Sequence, residues 1–458
     1  IFPVFLTTAN ATTFKVSPDG EPMFLTDALL EAGAGDTISL GDGIYSEPIV
    51  TMNAGEEGSP LVIEGGRNAI INGFSGNRTI MWDMKVVDIR HSWTTLRGFT
   101  VDAQIGDRDE EESYVDKCIW VEGQAEPTML AYRGSQVKSS LIGAEILDMK
   151  IQNCGMEGIR IRNFVTNMVI KDNDIDTTGI WDFRYRFDGK VGEAIYIGTS
   201  SNQWTDGAPG RVTNGEDKCN YNLVTGNTLH PHANECVDIK EGSSMNVIEY
   251  NDCFDQRDDE SGCYDSRGNG NVFRYNTADQ CAGAGIRLGG HVIDGFVYGV
   301  DNDVYGNDFT NTEYGSIKSM QHPQGIICGN TCSDGECRVK EKGQIDGEVG
   351  DIEASWDQEC PSSLPAVPFI DTDMDEEIPA TTTEMPQDYD AALPEYKMLG
   401  CFADRGNGRV MQYKLNDQDL TTESCALECE GFAFFGTQYG MECWCGGDET
   451  DHVQHGES

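Results

Sequence analysis

Val247-Ile248-Glu249-Tyr250-Asn251 and Val272-Phe273-Arg274-Tyr275-Asn276 are two copies of a repeated segment, an apolar strand-like run that ends in asparagine. Six copies occur, at residues 169–173, 223–227, 247–251, 272–276, 303–307 and 326–330. The later asparagines are 24, 25, 31 and 23 residues apart (251 − 227, 276 − 251, 307 − 276, 330 − 307). This period predicts a β-solenoid, in which each coil buries its inward face only by stacking on its neighbours.

A second strand-like segment recurs between these copies, at residues 158–162, 194–198, 236–240, 263–267, 285–289 and 316–320. Side chains alternate between the two faces of a strand, so stacking the six segments predicts one inward and two outward columns. The inward column is Ile159, Ile195, Val237, Tyr264, Ile286 and Ile317. The outward columns are Arg160, Tyr196, Asp238, Asp265, Arg287 and Lys318, and Arg162, Gly198, Lys240, Arg267, Gly289 and Met320.

The start of the repeat region has features of a cap. Thr26-Asp27-Ala28-Leu29-Leu30-Glu31-Ala32-Gly33 predicts a short helix with Thr26 as N-cap and Gly33 as stop, and Gly35-Asp36-Thr37-Ile38-Ser39-Leu40 follows it. This opening resembles right-handed parallel β-helix proteins of the pectate-lyase type. The resemblance implies an all-β fold, a right-handed parallel β-helix with an N-terminal capping helix, over residues 13–340, preceded by an extension at 1–12.

The C-terminal part has a different composition. Residues 341–395 are predicted to be a cysteine-containing tail and an acidic Thr/Pro linker. Residues 396–458 contain Gly400-Cys401-Phe402 and Cys443-Trp444-Cys445-Gly446, and they resemble a WSC domain, a disulfide-rich extracellular module associated with glycan binding. Only five cysteines occur from Cys401 onward, fewer than a complete domain carries, so we expect the domain to be incomplete and the chain to continue. Tyr439 and Trp444 are candidate sugar-stacking rings, with packing in a small core as the alternative.

Composition limits the function. The 458 residues carry 32 Lys+Arg and 78 Asp+Glu, a net charge of −46, which argues against nucleic acid and anionic membranes as partners. The sequence contains no apolar run of about 18 residues, so it does not predict a membrane span. The 16 cysteines and the sequons at Asn10 and Asn77 predict a secreted, disulfide-bonded glycoprotein, with Asn330-Thr331-Cys332 as a weaker third sequon. Cys236 and Cys263 occupy equivalent places on adjacent coils and are candidate disulfide partners.

The outward columns contain the candidate chemistry. Glu157, Glu193 and Glu235 align on successive coils, and stacked carboxylates repel one another unless a cation lies between them. With Asp238 they form a candidate Ca²⁺ site. Lys240 and Arg267 are adjacent cations, with stems expected about 5 Å apart. A uronate lyase needs such a set, because a cation neutralises the sugar carboxylate while a base removes the neighbouring proton.

The same region resembles the chondroitinase B/alginate lyase family in Glu235-Cys236-Val237-Asp238-Ile239-Lys240, Asp265-Ser266-Arg267-Gly268-Asn269 and Gly285-Ile286-Arg287. The resemblance implies that Lys240 is the general base, Arg267 its partner and Glu235 a calcium ligand. The sequence departs from the family at Ala233, where a second acid is expected, and in an acidic insertion at 255–260. Arg160, Tyr196 and Arg287 are candidate sugar contacts. The alternative interpretation is a solvated stripe of alternating charges.

Two function hypotheses follow. The first is a secreted structural or adhesive glycoprotein that binds glycans and self-associates, as a filament or as a matrix or wall component. It rests on the solenoid, the sequons, the WSC-like module and the apolar segment Ile1-Phe2-Pro3-Val4-Phe5-Leu6. The alternative is a Ca²⁺-dependent lyase or epimerase acting on an acidic, uronate-containing polysaccharide. The sequence leaves open whether the protein is an enzyme.

Overall fold

The computed structural model describes residues 11–73, 84–122, 141–185, 190–204, 215–332 and 360–361, together with strand backbone at 339–341, 413–416, 434–438 and 442–446. The chain divides into two compact units, residues 1–372 and 373–458. The boundary between them falls within the segment at 341–395 that the sequence predicts to be a linker. The predicted domain limits at 12/13, 340/341 and 395/396 stay predictions.

The first unit is built from three parallel sheets, and the chain visits sheets A, B and C in turn on every coil. Sheet A contains Thr13–Val16, Thr37–Leu40, Leu61–Gly65, Thr94–Arg97, Glu145–Leu147, Val169–Lys171, Leu223–Thr225, Val247–Glu249, Val272–Arg274, Asp303–Tyr305 and Ile327–Cys328. Sheet B contains Gly43–Tyr45, Ala69–Ile71, Thr100–Asp102, Lys150–Gln152, Asp174–Asp176, Thr228–His230, Asp252–Gln256, Thr277–Cys281, Asp308–Thr312 and Thr331–Cys332. Sheet C contains Ile49–Val50, Lys85–Ile89, Lys117–Glu122, Ile159–Arg162, Ile195–Ile197, Val237–Ile239, Gly262–Ser266, Ala284–Leu288, Ile317–Ser319 and Val339–Glu341. This cyclic order is a parallel β-helix, as the sequence predicts.

Among the described residues, α-helices lie at Leu25–Glu31 and Ile180–Tyr185, and 3₁₀ turns lie at Glu111–Ser113 and Ser201–Gln203. Val292–Ile293 and Phe296–Val297 pair as an antiparallel hairpin in the connection from the sheet C strand Ala284–Leu288 to the sheet A strand Asp303–Tyr305. In the second unit, Tyr413–Asn416, Phe434–Gln438 and Glu442–Gly446 form an antiparallel sheet.

The capping helix exists where the sequence places it, but its start is predicted wrongly. The helix begins at Leu25, with Phe24 as N-cap and without a side-chain capping hydrogen bond, and it ends at Glu31. Leu25, Ala28 and Leu29 are buried against the first coil. Burial of this apolar face therefore fixes the helix position, and Thr26 lies inside the first turn instead of capping it.

The predicted columns of sheet C are confirmed by the strand register. Ile159 pairs with Ile195, then with Val237, Tyr264, Ile286 and Ile317, and all of these side chains are buried in the interior. The outward column from Arg160 to Lys318 follows the same register. The two-residue alternation of strands thus places every charged residue of this column on the outer face of sheet C.

Two asparagine ladders support the turns. The first consists of the repeat asparagines Asn173, Asn227, Asn251, Asn276, Asn307 and Asn330, each bonding the next through its side-chain amide. The second consists of Asn222, Asn246, Asn271 and Asn302. Each side chain also bonds main-chain groups, as Asn251 Nδ2 does to the Val224 carbonyl at 2.9 Å. The ladders satisfy polar groups that the turns would otherwise bury without partners.

The predicted Cys236–Cys263 disulfide is wrong. Cys236 bonds Cys253 and Cys263 bonds Cys281, so each bridge joins sheet C to the sheet B strand of the next coil. Stacked residues of a parallel sheet send their side chains in the same direction, whereas a disulfide needs Cβ atoms that approach to about 4 Å. Cys118–Cys154 and Cys328–Cys360 are also bridged, and Cys219 is a buried free thiol.

Candidate functional site on the outer face of sheet C

The outer face of sheet C carries one continuous row of polar and aromatic side chains. In register these are Asp88, Trp120, Arg160, Tyr196, Asp238, Asp265, Arg287 and Lys318. The central members are buried, with Asp238 and Asp265 at 0% exposure and Arg160 and Tyr196 at 5% and 6%. A solvated stripe would leave these groups in water, so the structure instead shows a packed polar site.

Three carboxylates meet at the centre of this face. Glu193, Glu235 and Asp238 each offer an oxygen, and these atoms lie within 4.8 Å of one another. Burial and repulsion from Asp238 and Glu193 raise the pKa of Glu235 to about 8. Burial and repulsion from Glu157 raise the pKa of Glu193 to about 7. The neighbouring cations therefore do not fully offset the burial and mutual repulsion that these two glutamates experience when they are ionised.

Glu157, predicted to be a fourth ligand, lies next to these carboxylates but takes cationic partners. Its carboxylate is 3.1 Å from Arg160 Nη1 and 3.5 Å from Lys117 Nζ. Burial opposes ionisation of Glu157, but Lys117 and Arg160 outweigh it and lower its pKa. The structure thus groups three of the four predicted cation ligands and pairs the fourth, Glu157, with the cationic side chains of Lys117 and Arg160.

Lys240 and Arg267 lie side by side on adjacent coils, as predicted. Lys240 donates a hydrogen bond to Asp238, and Arg267 Nε lies 3.7 Å from Asp265. Burial disfavours the Lys240 ammonium, but the Asp238 carboxylate outweighs it and raises the Lys240 pKa well above its ordinary value. The same balance lowers the pKa of Asp238, because Lys240 and Arg267 outweigh its burial.

Tyr196 lies between two cations. The Arg160 guanidinium is 3.3 Å from the ring centroid and the Lys240 ammonium is 4.5 Å from it. Cations over an aromatic face are attracted by the ring quadrupole. Arg160 and Tyr196, predicted to contact sugar, are therefore packed against each other, and the Tyr196 ring also contacts Lys240. Arg287 donates to Asp265 at 2.6 Å and keeps 15% of its side chain exposed.

Several buried acceptors in this region have no hydrogen bond. They are Asp238 Oδ1, Asp265 Oδ1, Asn234 Oδ1 and Glu157 Oε2. Buried polar groups are nearly always hydrogen-bonded in folded proteins, and exceptions are common at functional sites. Their concentration around Glu235 and Lys240 marks the place where a ligand would supply partners.

Segments at both ends of the sheet C strands flank the site. At one end, Ser261 donates a hydrogen bond to Glu235, and Glu260, in the acidic insertion, pairs with Lys190. At the other end, His291, at the base of the hairpin, lies 2.5 Å from the buried Glu241 carboxylate. These contacts were not predicted. The sequence shows that both segments exist, through the acidic insertion at 255–260 and the 31-residue spacing between Asn276 and Asn307, but it does not show their partners.

The remaining predicted residues lie elsewhere. Trp444 is on the strand Glu442–Gly446 of the second unit, opposite Gly436 and Lys414. Tyr439, Asn10 and Asn77 fall outside the described residues. Asn330, the asparagine of the weaker third sequon, lies within the described residues. Its side-chain amide donates to the Val304 carbonyl at 3.0 Å and its side-chain oxygen accepts from Asn307, so the side chain is part of the first asparagine ladder. No helix in the described part of the chain is long and apolar enough to cross a membrane.

Comparison with solved structures supports the fold. An alginate lyase from Paenibacillus sp. str. FPU-7 superposes with a TM-score of 0.55 at 16% identity, covering 73% of this chain and 99% of that one. A pectate lyase matches with a TM-score of 0.44 at 12% identity, over 73% and 75% of the two chains. At these identities, the first match shows the parallel β-helix fold alone, and the second carries no argument.

Comparison of sequences concerns the second unit. Residues 398–457 match the family model of the WSC domain. A WSC domain-containing protein of Arthroderma benhamiae is 34% identical over 58 residues, 12% of this chain and 8% of that protein. A xylosyltransferase of Caenorhabditis briggsae is 35% identical over 84 residues, 17% of this chain and 10% of that protein. The chain thus spans about a tenth of these relatives. Together with the disulfides, the match indicates an extracellular protein with a glycan-related role, built from a parallel β-helix and a WSC domain.

Proposed function

We propose that the outer face of sheet C is a cation-dependent active site that removes the proton next to the carboxylate of a uronate residue in an acidic polysaccharide. One observation carries the proposal. The three buried carboxylates of Glu193, Glu235 and Asp238 lie beside the cations Lys240 and Arg267 on adjacent coils. The alginate lyase with the same fold, and the resemblance in sequence around Glu235 and Arg267, support it.

The three carboxylates fit a hard divalent cation. Ca²⁺ prefers several carboxylate oxygens, and Asp238 Oδ1 is buried without a hydrogen bond. Glu193, Glu235 and Asp238 would hold the ion. A divalent cation there would neutralise the carboxylate of a bound uronate and would also weaken the pull of Asp238 on the Lys240 proton.

The side chains of the site divide the remaining roles. Lys240, as the free amine, takes the proton from the carbon next to the sugar carboxylate. In a lyase, the electron pair forms a double bond to the next ring carbon, the bond from that carbon to the glycosidic oxygen breaks, and that oxygen takes a proton from the Lys240 ammonium or from water. Arg267 stabilises the negative charge that develops on the sugar, and Arg287 binds its carboxylate. In an epimerase, the proton returns to the opposite face of the same carbon and no bond of the chain breaks.

Activity on defined polymers tests the proposal. The full chain is incubated with alginate, pectate or chondroitin plus Ca²⁺, and unsaturated products are followed by absorbance and epimerised residues by NMR. We expect Lys240→Ala to abolish turnover and the matched control Lys171→Ala, on sheet A, to retain it. Absence of both products with all three polymers at saturating Ca²⁺ would contradict the proposal.

A structural or adhesive, self-associating role stays a prediction. The apolar N-terminal segment that suggested self-association lies outside the described residues. The WSC domain is compatible with either function, since we propose that it binds glycan and holds the β-helix at its polymer.

A further inference from the structure

Tyr250 and Tyr275 form an exposed aromatic pair at the corner between sheets A and B, away from the outer face of sheet C. The two residues follow the sheet A strands Val247–Glu249 and Val272–Arg274 on successive coils. Their ring centroids are 5.1 Å apart with planes inclined by 22°. Tyr250 is 57% exposed and Tyr275 is 40% exposed. Two large rings are thus held in parallel at the surface.

The backbone at both tyrosines is left-handed, with φ of 53° and 55°. The equivalent position on other coils is occupied by Asp172, Gly226, Gly306 and Gly329, all with positive φ. Gly, Asn and Asp adopt this conformation readily, whereas a bulky side chain does so at a cost. Because aspartate and glycine suffice for the turn elsewhere, folding does not require tyrosine here. Strained residues of this kind are a reason to look for a function.

Residues of the next coil pack against the Tyr275 ring and fix its position. The Tyr275 ring lies on Gly306, where a Cβ atom would come within 2.6 Å of ring atom Cδ1. The buried Tyr305 ring meets Tyr275 edge-on, at 5.8 Å and 86°. Arg274 holds Tyr305 in place through a 3.2 Å hydrogen bond to its hydroxyl. The rings are therefore preorganised, which lowers the entropic cost of binding.

We propose that Tyr250 and Tyr275 are a stacking platform for the sugar rings of a polysaccharide, a second glycan site separate from sheet C. Pyranose rings present apolar C–H faces that pack on aromatic rings, while their hydroxyls need polar partners beside the platform. The ion pair of Glu249 with Arg274 and the exposed Asp252 provide such groups. This polar rim and the small apolar area suit a glycan better than a protein interface.

Substitution by asparagine tests the platform without disturbing the turn. The double variant Tyr250→Asn/Tyr275→Asn removes both rings and introduces a residue that favours positive φ. We expect thermal stability equal to or above that of the wild type. We expect about tenfold weaker retention of the full chain in native gels containing alginate, pectate or a neutral β-glucan, whichever retards the wild type most. Asp172→Asn, at the same turn position two coils earlier, should leave retention unchanged.

Two results would overturn the inference. One is retention of the double variant equal to that of the wild type in every gel. The other is a wild-type protein that sediments as an oligomer and a double variant that sediments as a monomer, which would assign the rings to a contact between copies. The readout is retention and not turnover, so failure of the proposed lyase or epimerase chemistry would leave this test intact.

Discussion

Lys240, which directly follows the sheet C strand Val237–Ile239, donates a hydrogen bond to the carboxylate of Asp238 within that strand, and both side chains are buried. Removing one partner of a buried ion pair leaves the other charge without compensation. We therefore expect Lys240→Met to lower the free energy of unfolding by about 3 kcal/mol. The double variant Asp238→Asn/Lys240→Met should recover most of the loss. Urea denaturation of the wild type, both single variants and the double variant measures the coupling. A loss in the double variant equal to the sum of the two single losses would show that the pair does not act as a unit.

Cation binding should stabilise the β-helix through Glu193, Glu235 and Asp238. A ligand that binds only the folded state at about 100 times its Kd adds roughly 2.7 kcal/mol. We expect Ca²⁺ to raise the melting temperature of the wild type and chelation to reverse the rise. Glu235→Gln should respond weakly, because one charged ligand is lost.

Glu249→Gln provides the control for that experiment. Glu249 lies on sheet A, where it pairs with Arg274, away from the three carboxylates. We expect Ca²⁺ to raise the melting temperature of Glu249→Gln as much as that of the wild type. Such a result would assign the stabilisation by Ca²⁺ to the three carboxylates. An equal Ca²⁺ response in Glu235→Gln would place the cation elsewhere.

The first asparagine ladder should contribute strongly to stability. Asn251 accepts from the main-chain N–H and the side-chain amide of Asn227, at 3.0 and 2.8 Å, and donates to the Val224 carbonyl. Asn251→Ala leaves these buried groups without a partner, at a cost of about 1–3 kcal/mol for each unsatisfied group. Asn330→Ala, at the less buried end of the ladder, should cost less. Chemical denaturation of the two variants compares them, and similar losses would argue against the ladder as the source.

Sequence alone was sufficient for the repeating architecture, because the two-residue alternation and the asparagine spacing are both visible along the chain. The sequence also carries the pattern of the second ladder. Asn222, Asn246, Asn271 and Asn302 each precede a repeat asparagine by five residues (227 − 222, 251 − 246, 276 − 271, 307 − 302), and these four form the second ladder.

The sequence alone could not predict which buried charged side chains pair with one another. Glu157 has the spacing of a cation ligand, but Lys117, forty residues earlier (157 − 117), stacks beside it and pairs with its carboxylate. That choice depends on how side chains of neighbouring coils pack after the coils have formed. For the same reason, the contact of His291 with Glu241 could not be inferred from an insertion whose path was unknown.

The Cys236–Cys253 disulfide should matter to the candidate site as well as to stability. Cys236 directly follows Glu235, and the bridge ties this end of the sheet C strand to sheet B of the next coil. Its replacement by Cys236→Ala/Cys253→Ala should cost about 3 kcal/mol and should also reduce the stabilisation by Ca²⁺, because Glu235 loses its anchor. Cys118→Ala/Cys154→Ala, a bridge further from the three carboxylates in sequence, should lower stability while the Ca²⁺ response persists. Melting curves with and without Ca²⁺ separate the two effects. If both double variants respond to Ca²⁺ as the wild type does, the Cys236–Cys253 bridge stabilises the coil and has no part in positioning Glu235.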